Sequence, residues 1–533
     1  MKVTKHNFIE ILPGFVEKLA SAVFVAFDLE FTGIYGEKNL KSDSIEQRFK
    51  KMVQVASKYS IIQVGVSIFS PSSEDASVLE TSSYAFYVFP EWGSDVVMSP
   101  SSISFLKKNN MDFNLWITDG LPFVNEMTAK NAREAKEKKQ QAAVAGGDAP
   151  VATSLMPNRP EEVVKVNAFK ASIDDFVKDD SKTELVLPPM NAFLRKCLHS
   201  YLELVHPSLR TRKDDEKPNE LIVCKVTEEQ KAELEKEEAD RFAQKLGFRL
   251  IWEALIQSGK PIVGHNSFFD LLFLFRWIDA PLPTEFSEFQ QRFHTLFGAA
   301  GGLFDTKFIA DCGILANESP AAAVGGGAAA EGPDDTSLGP LFDATVVKTS
   351  FPGVKFAPGF AYDDANQKQA HDAGYDAYMT GAIFAANCAS VGGIENLSLR
   401  CKNKLYLMQS LISFSLEPGE SSFLRVTRGD IYHLSGFPSD TKTEHIIEAF
   451  DPSGTEEANK TILEVSWIDG TTTYLIVKKG ATVALPVEKE GWVLQNFAAF
   501  EAAKTAAAAA PVAAASGESE PDKKKLKTTC STL

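Results

Sequence analysis

The chain has 533 residues, a formal net charge of −16 at pH 7 and a hydrophobic fraction of 44%. This length predicts more than one domain, and the negative charge gives no support to a chain-wide nucleic-acid-binding surface, so any basic footprint would have to be local. None of the six cysteines forms a C-x-x-C pair, which indicates free thiols in a reducing compartment. The opening residues MKVTKHNFIE are too polar for a secretory signal, and no stretch of about 18 apolar residues predicts a membrane span.

The first strong strand signal is an apolar run over residues 23–31 that carries Asp28 and Glu30, and a helix over residues 6–20 precedes it. Strand side chains alternate between faces, so the two acids share one face. Two neighbouring carboxylates repel each other, and their burial is costly unless a cation compensates the charge. A divalent metal ion with oxygen ligands is the usual compensation. The alternative is a strand end where both acids simply meet water.

The next signals along the chain predict further strands and helices of the same unit. Strands at 59–69 and 84–89 follow the first one, and three strands in series suggest the antiparallel side of a mixed sheet. The remaining predicted elements of this unit are a helical region that starts at 101–109 and runs to 119–122, a helix over 248–257, a strand over 261–266, an apolar helix over 271–275 and a helix over 370–387.

Composition shifts predict the domain boundaries. Residues 128–160 read as a charged helix that runs into a flexible linker, and a separate unit follows at 165–245. A third unit at 428–485 has the strand and helix pattern of a small α/β sandwich. The Ala/Gly-rich residues 318–336 and the Ala-rich, then Lys-rich, tail at 498–533 are predicted to be disordered.

Two further acids lie in later predicted elements. Asp270 follows a strand and opens an apolar helix, and Asp376 lies in the predicted helix at 370–387, five residues after His371. Taken singly, a capping Asp or a core His is the simpler interpretation. His371 can reach the same site as Asp376 only if it lies before or at the first turn of that helix. Taken with Asp28 and Glu30, the set has the order Asp-x-Glu, Asp, His and Asp.

This order resembles the DEDD exonuclease superfamily in its DEDDh branch. The segments FDLEF, GHNSFFD and HDAGYDAY are similar to the poly(A)-specific ribonuclease (PARN) family within the CAF1-type deadenylases. The resemblance spans most of the chain. It implies an α/β (α+β) fold, with an RNase H-like mixed-sheet exonuclease core formed by residues 1–160 and 246–420.

The resemblance also implies roles for the acids. It makes Asp28, Glu30, Asp270 and Asp376 ligands of two Mg²⁺ ions, for which Mn²⁺ could substitute, and makes His371 the general base. The expected reaction is 3′-to-5′ removal of poly(A) from single-stranded RNA with release of 5′-AMP, and a homodimer is expected by analogy. Two metal ions about 4 Å apart suit the in-line displacement of a phosphodiester.

Two residues are candidates for RNA contacts beside the acids. Phe31 follows the Asp-x-Glu strand and could lie against the terminal base, although packing in the core is an equal alternative. Lys307, in the motif Asp305-Thr306-Lys307, resembles a family residue near poly(A), since lysine attracts phosphate as a point charge. Its alternative is an exposed surface lysine. We expect Asp305 to be structural rather than a fifth metal ligand.

The two accessory units resemble nucleic-acid-binding domains. Arg195 and His199 match the Arg-x-x-x-His signature of a single-strand nucleic-acid-binding domain that the family inserts between its second and third acids, here at 165–245. The alternative is a helix-surface pair without an RNA role. The unit at 428–485 resembles an RRM-like fold, yet its third strand lacks the basic-aromatic motif. Trp467 matches a family tryptophan that stacks on the mRNA 5′ cap, and its alternative is a buried anchor.

The tail carries two short motifs. Residues 522–527 resemble a nuclear-import signal, which predicts a nuclear and cytoplasmic location. The last four residues, from Cys530, fit the outline of a prenylation box, but Ser and Thr stand where aliphatic residues are preferred, so a basic tail without modification is the simpler interpretation. No membrane partner is expected.

Three functions compete at this stage. The first is a poly(A)-removing 3′-to-5′ exoribonuclease, and the second is a related nuclease that trims the 3′ ends of small noncoding RNA. The third is a non-catalytic RNA-binding pseudo-nuclease. The presence of all four acids and His371 argues against the third. The RRM-like unit favours the first over the second, because some relatives lack such a unit.

Overall fold

The computed structural model describes residues 1–40, 43–75, 77–90, 95–144, 155–206, 208–213, 220–311, 335–361, 371–420, 422–424, 429–450, 462–478, 483, 489–497 and 499–500. The chain divides into two units, Met1–Arg425 and Val426–Leu533. The predicted disordered tail lies outside the described residues except for 499 and 500, and so do the import-like motif, Cys530 and almost all of 318–336.

The described part of the first unit contains thirteen strands and fifteen α-helices. The strands are β1 (Lys2–Val3), β2 (Phe24–Phe31), β3 (Ile61–Pro71), β4 (Leu79–Tyr87), β5 (Glu184–Leu187), β6 (Leu209–Lys213), β7 (Leu221–Lys225), β8 (Ile262–Gly264), β9 (Leu303–Asp305), β10 (Val354–Phe356), β11 (Lys404–Leu405), β12 (Ile412–Ser415) and β13 (Ser422–Leu424). The helices are α1 (Phe8–Ala20), α2 (Ile45–Lys58), α3 (Pro100–Lys108), α4 (Phe113–Asp119), α5 (Glu126–Val144), α6 (Pro160–Lys178), α7 (Ala192–Val205), α8 (Glu228–Leu246), α9 (Phe248–Ser258), α10 (Phe268–Leu274), α11 (Phe286–Phe293), α12 (Thr306–Asp311), α13 (Leu338–Phe342), α14 (Ala373–Ser390) and α15 (Ile394–Cys401). Helices α10, α11 and α13 continue into short π-helical segments, Phe275–Asp279, His294–Gly298 and Asp343–Val347.

A seven-stranded mixed sheet forms the centre of the first unit. Its strand order is β1-β4-β3-β2-β8-β9, with β10 beside β4. Strands β2, β3 and β4 pair antiparallel, whereas β8 runs parallel to β2 and β9 parallel to β8. On one side of β2 lie the antiparallel strands β3 and β4, with β1 and β10 parallel to β4, and on the other side lie the parallel strands β8 and β9. The predicted α/β class with a mixed sheet is therefore confirmed.

Helices cover both faces of this sheet. The β2 residues Val25, Phe27 and Leu29 belong to a core that also holds Phe8 and Phe15 of α1. Phe24 and Ala26 alternate with them and pack in a second core with Phe384 of α14. Because side chains alternate along a strand, Asp28 and Glu30 continue the face that α14 covers.

The late helix differs from the prediction at its start. Helix α14 begins at Ala373, with Asp372 as its N-cap, and not at residue 370. His371 precedes the helix and has a φ of 71°, a left-handed conformation that cannot continue an α-helix. This is the position before the first turn that a shared site with Asp376 requires.

Residues between α5 and α8 form a small layer of their own. Strands β5, β7 and β6 make an antiparallel sheet in that order, and α6 and α7 pack with it through a separate cluster of buried residues that includes Val166, Leu198 and Val223. The α6 helix starts at Pro160, slightly before the predicted boundary at 165. The assignment of this layer to a nucleic-acid-binding domain at 165–245 stays a prediction.

The second unit contains a four-stranded antiparallel sheet. Its described elements are β14 (Gly429–Ser435), α16 (Thr443–Phe450), β15 (Ile462–Trp467), β16 (Thr472–Lys478) and β17 (Val493–Asn496). The strand order is β15-β16-β14-β17, and α16 packs on β15. These elements follow the predicted strand and helix pattern, and the RRM-like assignment stays a prediction.

Among the described helices, none alone has the length and apolar character needed to cross a membrane, and one sharply bent pair, α14 with α15, passes that test by composition and length.

Candidate active site

The site begins at the carboxyl end of β2. Asp28 lies opposite Gly65 of β3, and Glu30 lies opposite Gln63. The register shifts directly after Glu30, so that Phe31 pairs with Ile61. Such a bulge bends the strand and re-aims the side chains beside it, and bulges are common next to active sites.

Asp270 reaches the same place from the neighbouring strand. β8 runs parallel to β2, and the turn that follows it leads into α10, whose first turn carries Asp270. The Asp270 side chain is only 8% exposed. Its Oδ1 accepts a hydrogen bond of 3.0 Å from the N–H of Leu29, which lies between the two acids of β2. This contact fixes the third carboxylate against the Asp-x-Glu strand.

The amino end of α14 is seated directly on β3. The Gln63 side chain accepts a hydrogen bond of 2.9 Å from the N–H of Ala373. The neighbouring Gly65 leaves room for that backbone, because a Cβ at position 65 would lie 1.8 Å from the Ala373 carbonyl oxygen. Asp372 caps the helix and accepts from the N–H groups of Gly374 and Tyr375. Asp376, in the first turn, is thereby held beside Asp28 and Glu30.

His371 is held against the fourth carboxylate. Its backbone N–H donates to Asp376 Oδ2 at 3.1 Å, and its ring lies edge-on to Phe105 of α3 with ring centroids 4.5 Å apart. Ligand atoms of Glu30, His371 and Asp376 all lie within 4.8 Å of one another. A ring nitrogen of His371 is therefore within reach of anything that these carboxylates bind.

The carboxylates of this cluster resist ionisation. Burial, and then repulsion from Asp376 and Asp270, raises the pKa of both Asp28 and Glu30 well above the usual range. Burial also raises the pKa of Asp270 and of Asp376 to about 7 each. The pKa of His371 is lowered because burial disfavours the imidazolium. Ionised acids packed in this way need a compensating positive charge.

The donor set fits divalent metal ions. Asp376 is 7% exposed, and its Oδ1 is buried without a hydrogen-bond partner among the described residues. Hard cations such as Mg²⁺ and Mn²⁺ prefer carboxylate oxygens, and Asp28, Glu30, Asp270 and Asp376 supply them. The bare oxygen of Asp376 is the kind of atom that a metal ion would satisfy.

Comparison with known proteins decides the family. The family model described as CAF1 family ribonuclease matches residues 3–384. The chain belongs to the CAF1 ribonuclease family. It is 25% identical to the poly(A)-specific ribonuclease PARN of Xenopus laevis, over 94% of this chain and 81% of that protein. It is 26% identical to the pre-piRNA 3′-exonuclease trimmer of Bombyx mori, over 58% of each chain. The Mg²⁺- and Mn²⁺-bound structure of S. pombe Pop2p is 14% identical, covers 72% of this chain with 90% of its own, and has a TM-score of 0.33.

Membership of the CAF1 family agrees with the resemblance read from the sequence, and the protein is a ribonuclease of that family whose carboxylate cluster fits divalent metal ions. The structure brings together all five residues that the sequence singled out for the chemistry, namely Asp28, Glu30, Asp270, His371 and Asp376. Their individual roles as metal ligands and general base stay predictions.

Asp305 differs from these acids, as expected for a structural residue. It is fully buried at the end of β9, next to β8. Its Oδ1 accepts from the N–H groups of Asn266 and Lys307 at 2.8 and 3.0 Å, and its Oδ2 accepts from the N–H of Tyr406 at 3.1 Å. Backbone N–H groups satisfy both oxygens of this carboxylate, so it does not need a metal ion as a partner.

The predicted RNA-contact residues occupy different surroundings. Phe31 stacks on Phe273 with ring centroids 4.1 Å apart and packs against the main core, as its alternative described. The Lys307 ammonium donates to Thr336 Oγ1 at 2.8 Å and lies 5.3 Å from the centre of the Tyr406 ring. Both are contacts within the protein, so the RNA-binding roles of Phe31 and Lys307 stay predictions.

The accessory residues lie elsewhere in the chain. Arg195 and His199 are on α7, where His199 is exposed and its Nδ1 lies 3.3 Å from Thr211 Oγ1. Trp467, in the second unit, is half-buried, and its indole N–H donates to Thr443 Oγ1 at 2.9 Å. Trp467 is thus partly anchored, and the cap-binding role stays a prediction.

Three residues that build the site were missed by sequence reasoning. Gly65 had a usable signal, since an isolated glycine inside a strand marks a close backbone approach. Gln63 is a polar residue in an apolar run, and that exception could have drawn notice. Phe105 gave none, because nothing local connects it with His371.

Proposed function

We propose that this CAF1-family ribonuclease is a 3′-to-5′ exoribonuclease that shortens poly(A) on single-stranded RNA and releases 5′-AMP. The observation that carries the proposal is the convergence of four carboxylates beside His371, two of them half-buried and two buried, one with a bare oxygen. The poly(A) substrate is supported by the similarity to a poly(A)-specific ribonuclease over 94% of the chain.

The chemistry follows from the residues of the site. Asp28, Glu30, Asp270 and Asp376 would hold the divalent ions, which when bound activate a water molecule and stabilise the charge of the phosphoryl oxygens. Hydrolysis adds water at phosphorus and breaks the bond to O3′ of the preceding nucleotide, leaving that O3′ as a hydroxyl.

His371 would take the proton of the attacking water on a ring nitrogen. Burial lowers the pKa of His371, so that the ring is neutral and can accept a proton at neutral pH. The hydrogen bond from its backbone N–H to Asp376 and the Phe105 ring position it. The contact with Asp376 therefore holds the proposed base next to the metal-binding acids.

Trimming of small noncoding RNA is the second candidate. The Bombyx trimmer is similar to this chain over 58% of its length, which supports this reading for the nuclease portion. The poly(A)-specific relative extends over 94% of the chain and so also matches the second unit. This wider match favours poly(A) as the substrate.

Further partners belong to the same proposal. The half-exposed Trp467 ring would stack on a methylated 5′ cap, and a homodimer is expected by analogy with the family. Loss of cap-analogue binding in Trp467→Ala, with the fold intact, would support the cap role, and undiminished binding would remove it. We extend the proposal to a nuclear and cytoplasmic location, which the import-like motif at 522–527 suggests.

The test uses the purified full chain with Mg²⁺ and 5′-labelled oligo(A), oligo(U) and structured RNA. We expect stepwise shortening from the 3′ end, fastest on oligo(A), with 5′-AMP as product. Asp28→Asn should remain folded and inactive. Equal rates on all three RNAs would favour the trimming alternative, whereas full activity in Asp28→Asn would remove the proposed site.

A further inference from the structure

A basic groove lies on the nuclease unit outside the carboxylate cluster. It has a volume of about 710 Å³ and collects residues that are far apart in sequence. Its cationic residues are Lys5, Arg241 and Lys245, the imidazole of His6 lies beside them, and its apolar residues include Phe89 and Ile117. We call these six residues the basic groove. In a chain with a net charge of −16, this local concentration of positive charge contrasts with the whole.

The walls of the basic groove are fixed to one another. Gln244 on α8 donates a hydrogen bond of 2.9 Å to the carbonyl oxygen of Lys5, which ties the helix to the segment after β1. The Lys5 ammonium donates to the carbonyl oxygen of Thr118 at the end of α4. His6 Nε2 lies 2.9 Å from Asp119 Oδ1, and Asp119 and Glu237 both partly offset the positive charge of the groove. The groove is therefore a built feature and not a chance meeting of long side chains.

Arg241, Lys245 and Ile117 face solvent, whereas Lys5 and Phe89 are half-buried. Arg241 is 77% exposed and lies at the 4.0 Å limit of an ion pair with Glu237, so its charge is available to a ligand. Lys245 is exposed as well, and Ile117 keeps 53% of its surface exposed. Cations beside exposed apolar side chains suit a ligand that carries phosphates and bases together.

A row of paired strand residues leads from Glu30 toward the basic groove. Glu30, Gln63 and Tyr87 lie in one row across β2, β3 and β4, and Phe89 follows Tyr87 by two residues. Neighbouring strands lie about 4.8 Å apart, so Tyr87 lies about 10 Å from Glu30 across the sheet. The Lys2 ammonium lies over the Tyr87 ring at 5.9 Å, which adds a cation between the two sites.

Helices α3 and α4 connect the two sites as one wall. Phe105 of α3 contacts the His371 ring. Leu106, the next residue, packs in one cluster with Tyr87 and with Trp116 of α4. Ile117, the residue after Trp116, lines the basic groove. A chain bound with its end at the carboxylates can follow this wall into the groove.

We propose that the basic groove binds the phosphodiester backbone of the substrate RNA on the 5′ side of the nucleotide being removed. Lys5, Arg241 and Lys245 would pair with phosphates, and Phe89 and Ile117 would lie against sugars and bases. Phosphate contacts position a strand without reading its sequence. The groove should therefore raise the affinity for longer RNA without creating a preference for adenine. This inference rests on the proposed exonuclease function.

The test compares two double variants of the full chain that lose equal charge from the same helix. Arg241→Gln with Lys245→Gln removes two groove cations, and Lys231→Gln with Lys236→Gln is the matched control nearer the start of α8. For each protein kcat/KM is measured on a trinucleotide and on a long oligoadenylate. Fluorescence anisotropy with long oligo(A) and oligo(U) in metal-free buffer measures binding without turnover.

We expect the groove variant to lower the ratio of kcat/KM on long over short substrate by roughly tenfold, and to reduce the salt slope of binding by about 1.4. Binding of oligo(A) and oligo(U) should weaken equally, and the control should keep the wild-type values. An unchanged ratio in the groove variant, or an equal loss in the control, would overturn the inference. Because anisotropy needs no turnover, a wild-type protein that bound RNA without shortening it would refute the proposed function while still testing the groove.

Discussion

Two buried carboxylates of the nuclease unit, Asp305 and Asp376, meet opposite surroundings. Asp305 accepts hydrogen bonds from the backbone N–H groups of Asn266, Lys307 and Tyr406. Asp376 accepts one from His371, and its Oδ1 has no partner among the described residues. Burial raises the pKa of Asp305 to about 6 and that of Asp376 to about 7. The chain itself satisfies the first acid, whereas the second needs a partner from outside.

The largest effect should separate these two acids by function. Asp376→Asn changes a proposed metal ligand, and we expect kcat to fall by at least about a thousandfold, equivalent to about 4 kcal/mol of transition-state stabilisation. Asp305→Asn leaves the metal ligands in place but replaces one acceptor oxygen by an amide NH₂, which should lower the unfolding free energy by about 1–3 kcal/mol. Rates on oligo(A) and urea denaturation measure the two quantities.

The comparison would fail if Asp376→Asn kept its activity or if Asp305→Asn lost activity without losing stability. An active Asp376→Asn protein, or an Asp305→Asn protein that is as stable as wild type but inactive, would move the metal site toward β9. Circular dichroism of both variants checks that the loss of activity is not a loss of fold.

The second prediction concerns His371, whose backbone N–H donates to Asp376. His371→Gln removes the proposed proton acceptor but leaves the backbone N–H that donates to Asp376. We expect kcat to fall by roughly 100- to 10,000-fold, the usual contribution of general base catalysis, with Mg²⁺ binding nearly unchanged. Steady-state rates and calorimetric Mg²⁺ titration measure the two. Wild-type kcat in His371→Gln would exclude the residue as the base.

The third prediction tests whether the contact between the start of α14 and β3 sets the position of the Asp376 carboxylate. In Gly65→Ala the new methyl group would lie 1.8 Å from the Ala373 carbonyl oxygen, so the helix must shift. A displacement of about 1 Å can cost roughly a hundredfold in rate, and overpacking costs about 1–3 kcal/mol of stability. Activity and urea denaturation of the purified variant are the measurements.

Gly14→Ala is the matched control for this substitution. Nothing lies within 4 Å of a Cβ at Gly14, which is inside α1. Alanine there should stabilise the protein by about 0.5–1 kcal/mol and leave the rate unchanged. Equal rates for Gly65→Ala and Gly14→Ala would show that the seat on β3 does not position Asp376.

The smallest effect is a pH dependence of stability in metal-free protein. Asp270 and Asp376 have pKa values raised from 3.8 to about 7, so the folded state keeps protons that the unfolded state has already lost. The unfolding free energy should therefore fall as pH rises from about 4 to about 7, by about 1–3 kcal/mol for Asp376. Urea denaturation of wild type minus Asp376→Asn isolates this contribution. Saturating Mg²⁺ should abolish the fall, and a rise of stability with pH in the difference would contradict the raised pKa values.

Local features of the site were predictable from sequence, because they depend on short stretches of chain. The apolar run of β2 and the period of two along a strand placed Asp28 and Glu30 on one face. The strand, turn and apolar helix around Asp270 placed that acid at a strand end. Both inferences need only neighbouring residues.

Other features depend on contacts between distant segments and could not be predicted. The pairing of Gln63 with Ala373 joins residues 310 positions apart, and no local pattern encodes it. The helix pattern extended α14 back over His371, because periodicity does not reveal a residue with a φ of 71°. The cradle of Asp305 likewise depends on Tyr406, which lies 101 residues away.

The most direct test of the central claim is to locate a metal ion at the carboxylate cluster. Crystals of the full chain grown with Mn²⁺ give anomalous difference density at the metal positions. We expect peaks coordinated by Asp28, Glu30, Asp270 and Asp376, with none at Asp305, and loss of peaks in crystals of Asp376→Asn. A map without density between the four acids, or with its density at Asp305, would contradict the account.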